Sequence, residues 1–374
     1  MKKLLPALIL LIISLQYACN KQGVMVRHSS GGTPTNPVTT VPDTMYFPPV
    51  TGTTWQTTTA ASLGWDTTQL TALYPYLNSV GTKAFIIIKN GRIVSEQYFG
   101  TFTADSAWYW DSAGKTITGF LVGIAQESGI LNINDLTSKY LGAGWTSETL
   151  AEENKITIKN QLTMTTGLDD GVADPDCTLP GCLIYKADAG TRWAYHNAAY
   201  TLVSEVIQSA SGQPYNTYFQ TQLGNKIGMT GLWNKTPNSN NIFYSKARSM
   251  ARFGLLLLNK GKWNGTAILT DTNYFNSQVN TSQPINLSYG YLTWLNGKAS
   301  CMLPQSQVVY PMDIIPNGPN DMYCALGKND QKIYVVPSQK LVIIRMGNSA
   351  GGVTLAPSDF DNTLWEKLRG IMKF

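Results

Sequence analysis

The stretch Trp110-Asp111-Ser112-Ala113-Gly114-Lys115 places a hydroxyl and a primary amine three residues apart. Ile117, Phe120, Leu121 and Ile124 follow at helical spacing, so Ser112 falls at or near a helix N-terminus. Lys115 then lies one turn on, on the same side. A serine hydroxyl is a poor nucleophile until a base takes its proton, and an amine on the same helical face can reach it. Burial and the positive end of the helix both push such a lysine toward its neutral, basic form. The tetrad reads equally as a serine N-cap followed by a solvated lysine, so the remaining chain has to decide.

The elements that would position this pair can be read along the 374 residues, of which 43% are hydrophobic and 14% charged. That supports a large core in one big domain or two intimate ones. Asp66-Thr67-Thr68-Gln69 signals a helix start, with Leu70, Leu73 and Leu77 on one face. The runs 84–89 and 92–99 flank Asn90-Gly91, a hairpin signal. Short helical or irregular segments extend to about residue 240, and a helix is expected around Met250 to Leu258. Strand-like runs return at 289–294, 332–336 and 341–345, and an amphipathic helix over about 358–372 closes the chain. Strands at both ends with helices between predict an α+β fold, one antiparallel sheet flanked by helices and interrupted by an all-helical region. The expected bounds are 51–125 and 242–374 for the α/β sheet domain and 126–241 for the helical domain.

Residues 1–18 have a secretory layout: Lys2-Lys3, an apolar run from Leu4 to Leu15, then Gln16-Tyr17-Ala18 before Cys19. Ala18-Cys19 resembles a bacterial lipoprotein processing site, which predicts lipidation of Cys19 and a membrane anchor for an exported, cell-envelope protein. Residues 19–50, rich in Ser, Gly, Thr and Pro, are expected to form a flexible tether. Net charge is +5, and loss of Lys2 and Lys3 leaves 26 basic against 23 acidic residues. With no Lys/Arg run, nucleic acid is not an expected partner. Five cysteines leave four once Cys19 is set aside. Disulfides Cys177–Cys182 and Cys301–Cys324 are the first choice among three pairings. No CxxC is present, and there are only two histidines, so no metal is expected.

Ser112-Ala113-Gly114-Lys115, Leu162-Thr163-Met164-Thr165-Thr166-Gly167-Leu168, Arg192-Trp193-Ala194-Tyr195-His196-Asn197, Ser211-Gly212-Gln213-Pro214-Tyr215, Ile227-Gly228-Met229 and Ala251-Arg252-Phe253-Gly254 occur in that order. Together, from about residue 60 onward, they resemble the serine β-lactamase and penicillin-binding-protein superfamily, in its class C-like branch of esterases and peptidases. The resemblance implies a cleft between sheet and helical region, with Ser112 as acylated nucleophile and Lys115 as base or proton shuttle. It implies that Tyr195 and Asn197 form the Tyr-x-Asn element, the phenol relaying protons and the amide orienting the lysine. A phenol beside a buried ammonium can have a lowered pKa. A Ser-His-Asp triad would need a histidine. His28 falls in the tether, and His196 sits between Tyr195 and Asn197 where it reads as a packing residue.

The family's third element is usually a cation, a hydroxyl residue and glycine on the strand edging the cleft. The matching stretch here is Cys324-Ala325-Leu326-Gly327-Lys328, in which Ala325 and Leu326 carry neither group. Gly327 still permits close backbone approach, and the Ser112 and Lys328 backbone N–H groups are expected to form the oxyanion hole. Loss of the cation shifts the expectation from penicillins toward a small ester, amide or peptide-like substrate, as for the superfamily's carboxylesterases and aminohexanoate-oligomer hydrolases, with no cofactor. The alternatives are a penicillin-binding DD-peptidase or β-lactamase, and a catalytically silent binding or cell-wall-sensing domain.

Overall fold

The computed structural model describes residues 43–352 and 355–374. The expected leader 1–18, Cys19 with its predicted lipid, and most of the expected tether lie outside the described residues.

The strands are β1 (Thr82–Lys89), β2 (Arg92–Tyr98), β3 (Ala107–Tyr109), β4 (Leu232–Lys235), β5 (Asn241–Lys246), β6 (Lys262–Trp263), β7 (Thr266–Ala267), β8 (Trp294–Leu295), β9 (Tyr323–Gly327), β10 (Gln331–Val336) and β11 (Leu341–Gly347). The main sheet is antiparallel and six-stranded, in the order β2-β1-β11-β10-β9-β8. A three-stranded sheet has the order β3-β5-β4. The β1–β2 hairpin turns at Asn90 and Gly91, with φ of 50° and 79°. Two left-handed residues in succession suit the right-handed twist of the strands they join. A Cβ on Gly91 would stand 1.8 Å from the Tyr46 carbonyl oxygen, so glycine is required there twice over.

Alternation along β10 shows how the sheet is covered. Tyr334 meets Trp365 edge-on and donates to Asp361, both on the C-terminal helix Asp359–Met372. Ile333 points the other way, toward Gly254 of the helix Ala247–Leu258. A Cβ at Gly254 would stand 2.5 Å from Val342 Cγ1, so the missing side chain is what lets this helix lie close on the sheet. With both faces covered, β1 and β11 read as continuous apolar runs rather than alternating ones. Lys332 on β10 is fully buried and pairs with Asp361 at 2.8 Å and Asp330 at 3.2 Å. The first helix, Thr67–Ser79, is capped by Asp66, which accepts from the Thr68 and Gln69 N–H groups.

Between β3 and β4 lie the long buried helix Lys115–Glu127 and a series of shorter ones, among them Ile158–Leu162, Asn197–Thr201 and Val203–Ser211. The expected boundary at 241/242 falls inside the β4–β5 hairpin, because β5 pairs on its other side with β3. The tether also ends earlier than residue 50. The Tyr46 N–H donates to the Asn90 carbonyl, Arg252 Nη2 donates to the Pro49 carbonyl, and Phe47 packs edge-on against Trp263. These contacts hold residues 46–49 against the body.

Cys177 and Cys182 form the expected disulfide. The expected Cys301–Cys324 disulfide does not form, and both thiols are free and buried. Cys324 sits inside β9 opposite Tyr334 of β10 and Trp294 of β8, whereas Cys301 is bridged to Tyr310 in the loop that follows β8. Each cysteine is held by its own backbone pairing. Iodoacetamide in denaturant without reductant should therefore label Cys301 and Cys324 and leave Cys177 and Cys182 unlabelled. Peptide mass mapping checks this, and a crosslinked 301–324 peptide would contradict it.

Candidate active site

Ser112 does not open the α-helix directly. It sits in a 3-10 turn, Asp111–Gly114, and Lys115 is the first residue of the helix proper. Trp110 anchors this turn. It is fully buried against Phe243 and Phe253, its Nε1 donates to Ser245 Oγ at 2.8 Å, and its backbone N–H donates to the Phe243 carbonyl. Asp111 then takes φ of 45°. A left-handed non-glycine residue costs on the order of 1–3 kcal/mol and persists only where its surroundings enforce it. The helix beyond is buried from Lys115 through Ala125, not only on one face. Its Thr116 hydroxyl donates to the Leu292 carbonyl, and Thr118 bonds the Tyr215 phenol.

Lys115 is 1% exposed. Its Nζ donates to Ser112 Oγ at 2.8 Å and to Asn197 Oδ1 at 2.8 Å, and lies 4.1 Å from the Tyr200 ring centroid and 4.9 Å from that of Tyr195. Burial pulls its pKa from the usual lysine range down to about 7, against the opposing pull of Asp176 and Asp111. Tyr195 lines the same cleft as Ser112, and the hydroxyl of Ser112 acts on its phenol. Its ring stacks on Trp294 and meets Tyr289 edge-on, so its position is set by β8 as well as by its own segment. The expectation of a lowered phenol pKa is corrected here. Burial pushes Tyr195 well up, and the phenol stays protonated at neutral pH. Ser112, Lys115, Tyr195 and Asn197, far apart in sequence, thus converge.

Asn197 opens the helix Asn197–Thr201, and its Nδ2 donates to Asp176 Oδ1 at 2.8 Å. His196 caps that helix: its Nδ1 accepts the Ala199 N–H, and burial lowers its pKa. It is a structural residue, as its place between Tyr195 and Asn197 suggested.

Ser112, Tyr195 and Asn197 line a cleft of about 280 Å³ together with Asp111, Asp176 and Lys328. At its far wall β9 ends against the turn that carries Ser112. A Cβ on Gly327 would stand 2.3 Å from the Trp110 carbonyl oxygen and 2.9 Å from Ala113 N. The glycine lets the end of β9 approach the Trp110–Ala113 backbone closely, and Lys328 next to it lines the same cleft as Ser112. Asn329 and Asp330, next in the chain, take φ of 56° and 61°. Buried Arg345 holds them, donating to both their carbonyls. Ala325 and Leu326 are buried within β9 and do not line the cleft. The exposed Lys328 does, close enough to act on the Asp111 carboxyl, whose pKa burial raises to about 6.

Sequence reasoning missed Asp111 and Asp176 as parts of this site. Asp111 carried only its position beside Ser112. Asp176 carried a better signal, because it precedes the cysteine expected to close the 177–182 loop.

The family pattern described as Beta-lactamase matches residues 78–364. The chain belongs to the beta-lactamase family. PbpX of Bacillus subtilis (strain 168) is 29% identical over 175 residues, 41% of this chain and 42% of that protein. The chain thus spans less than half the length of that relative. A Bacillus anthracis structure described as "Putative 6-aminohexanoate-dimer hydrolase" superposes with a TM-score of 0.64 at 20% identity, covering 81% of this chain and 82% of that one. A D-stereospecific amidohydrolase from a Streptomyces species gives 0.56 at 13% identity over 82% and 98%. At these identities the superpositions establish the fold.

Any Cβ at residue 327 must push β9 away from the Trp110–Ala113 backbone. Gly327→Ala should therefore lower kcat/KM by about a hundredfold, the scale of a lost oxyanion donor. Steady-state kinetics on a p-nitrophenyl ester, with a thermal melt to show the variant folded, check this.

Proposed function

We propose that this chain is an exported serine hydrolase that cleaves an ester or amide through an acyl-enzyme on Ser112. The observation that carries the reading is the buried Lys115 amine, 2.8 Å from the Ser112 hydroxyl and 4.9 Å from the Tyr195 ring centroid, at an open cleft that Ser112 and Tyr195 both line. Neutral Lys115 takes the Ser112 proton as Oγ forms its bond to the substrate carbonyl carbon. The carbonyl electrons move onto oxygen, facing the Ser112 and Lys328 backbone N–H groups. As the tetrahedral species collapses, protonated Tyr195 donates to the leaving alcohol or amine and recovers a proton from the Lys115 ammonium. Water then gives its proton to Lys115, attacks the acyl carbon, and Ser112 leaves with a proton returned through the same groups.

Ala325 and Leu326 favour an uncharged ester or amide over a penicillin, since that strand offers no cation to a substrate carboxylate. Lys328 keeps a second reading in play: its exposed ammonium at the cleft is a partner for such a carboxylate, as a DD-peptidase or β-lactamase would need. Export to the cell envelope, with an anchor at Cys19, is supported by the N-terminal sequence and agrees with the Cys177–Cys182 disulfide.

Ser112→Ala should abolish labelling by a fluorophosphonate probe, and stoichiometric labelling of the variant would refute the assignment. Lys115→Ala should cost at least about a hundredfold in turnover of a p-nitrophenyl ester. Because the active form of Lys115 is the neutral one, kcat/KM should rise with pH through about 7 and then level off. A p-nitrophenyl ester, D-amino-acid amide and nitrocefin panel separates the two readings: nitrocefin turnover above the others would favour the second.

A further inference from the structure

We propose that Asp176 is a positioning residue that sets the orientation of the Asn197 amide, and that the Cys177–Cys182 disulfide braces it there. The proposal deepens the reading of Lys115 as the base and rests on it. An asparagine amide has nearly the same shape either way round, but only its oxygen can accept from Lys115 Nζ. Reversed, it would present an NH2 group to an amine that is itself a donor. An ionised carboxylate only accepts. Asp176 Oδ1 therefore accepts a hydrogen bond from Asn197 Nδ2 at 2.8 Å, which leaves Asn197 Oδ1 facing Lys115. Donation then runs from Lys115 outward, to Ser112 on one side and through Asn197 to Asp176 on the other.

The segment that carries Asp176 is tied on both sides. The Pro175 carbonyl accepts the Ala198 N–H, one residue beyond Asn197, and the Asp176 N–H donates to Asp174 Oδ1 at 3.0 Å. On the other side Cys177 is bonded to Cys182, and the Thr178 N–H donates to the Asn238 carbonyl. The loop between the cysteines holds the short turn Pro180–Cys182, and Leu179 is exposed, so apolar packing does little to fix it. The disulfide supplies that restraint one residue from the carboxylate.

Asp176 also acts on Lys115 by charge. The groups that face the buried amine are Ser112, Asn197, the Tyr195 and Tyr200 rings, and the carboxylates of Asp111 and Asp176, with Lys328 beyond Asp111. Both carboxylates favour the ammonium and oppose burial. Removing the Asp176 charge should make Lys115 a weaker base, whereas removing its acceptor should free the amide.

These two effects separate in Asp176→Asn, which keeps an acceptor without the charge, and Asp176→Ala, which keeps neither. Turnover of a p-nitrophenyl ester is measured against pH, and the Lys115 midpoint is read in the resting enzyme by NMR of 13C-labelled lysine ε-carbons. Both variants should lower that midpoint by about half a pH unit or more, a partly screened unit-charge effect. Asp176→Ala should lose at least about tenfold in kcat, and Asp176→Asn should recover most of it. Cys177→Ser/Cys182→Ser should fall between wild type and Asp176→Ala in kcat, and wild-type behaviour of that pair would remove the brace from the proposal. An unmoved Lys115 midpoint in both Asp176 variants, or a loss in Asp176→Ala that Asp176→Asn does not repair, overturns the positioning role. The NMR midpoint does not depend on turnover. If it moves while Lys115→Ala turns over normally, Asp176 keeps its place and the catalytic reading of Lys115 is what fails.

Discussion

The structure depends on one constraint, an amine taken wholly out of water with no carboxylate bonded to it. Lys115 contacts a hydroxyl, an amide oxygen and two aromatic faces. Cation–π attraction and two neutral acceptors recover only part of an ammonium's hydration. Its pKa falls from 10.5 to about 7, a difference of roughly 5 kcal/mol between its two protonation states. A directly bonded carboxylate would have erased that difference and left a charged, inert lysine. Asp176 and Asp111 are near enough to temper the shift without cancelling it.

The remaining architecture keeps that amine dry and its partners in place. The helix that bears it is buried along nearly its whole length, so water has no path along the helix surface. Its hydroxyl side chains are bonded to neighbouring segments, which avoids the penalty of unpaired polar groups. Left-handed residues flank the two turns that meet at the cleft: Asp111 before the serine, and Asn329 and Asp330 after Lys328. Each is enforced by a large buried side chain, Trp110 on one side and Arg345 on the other. Gly327 lets these two turns meet.

Fold and site were legible to different depths. The Asn90-Gly91 hairpin, the Asp66 cap and the helix at Ala247–Leu258 show in sequence because each is a local pattern of period, turn chemistry or capping. The second sheet was not legible. β3 has only three residues, and its partner β5 is more than a hundred residues away, so no local period announces either. The Cys301–Cys324 pairing failed for a related reason. Cysteine counting knows nothing of the ladder that holds Cys324 between Tyr334 and Trp294.

Sequence alone determined the chemical inventory: a serine and a lysine one helical turn apart, a tyrosine and an asparagine two apart, and a glycine after a strand without the family's usual cation. Those follow from residue identity and short spacing, which the chain carries without folding. Tertiary structure decided how that inventory behaves. It buried Lys115 and so made it basic near neutrality, kept Tyr195 protonated, and brought Asp176 to the amide of Asn197. Each of these depends on desolvation or on contact between distant segments, and neither exists until the chain has packed.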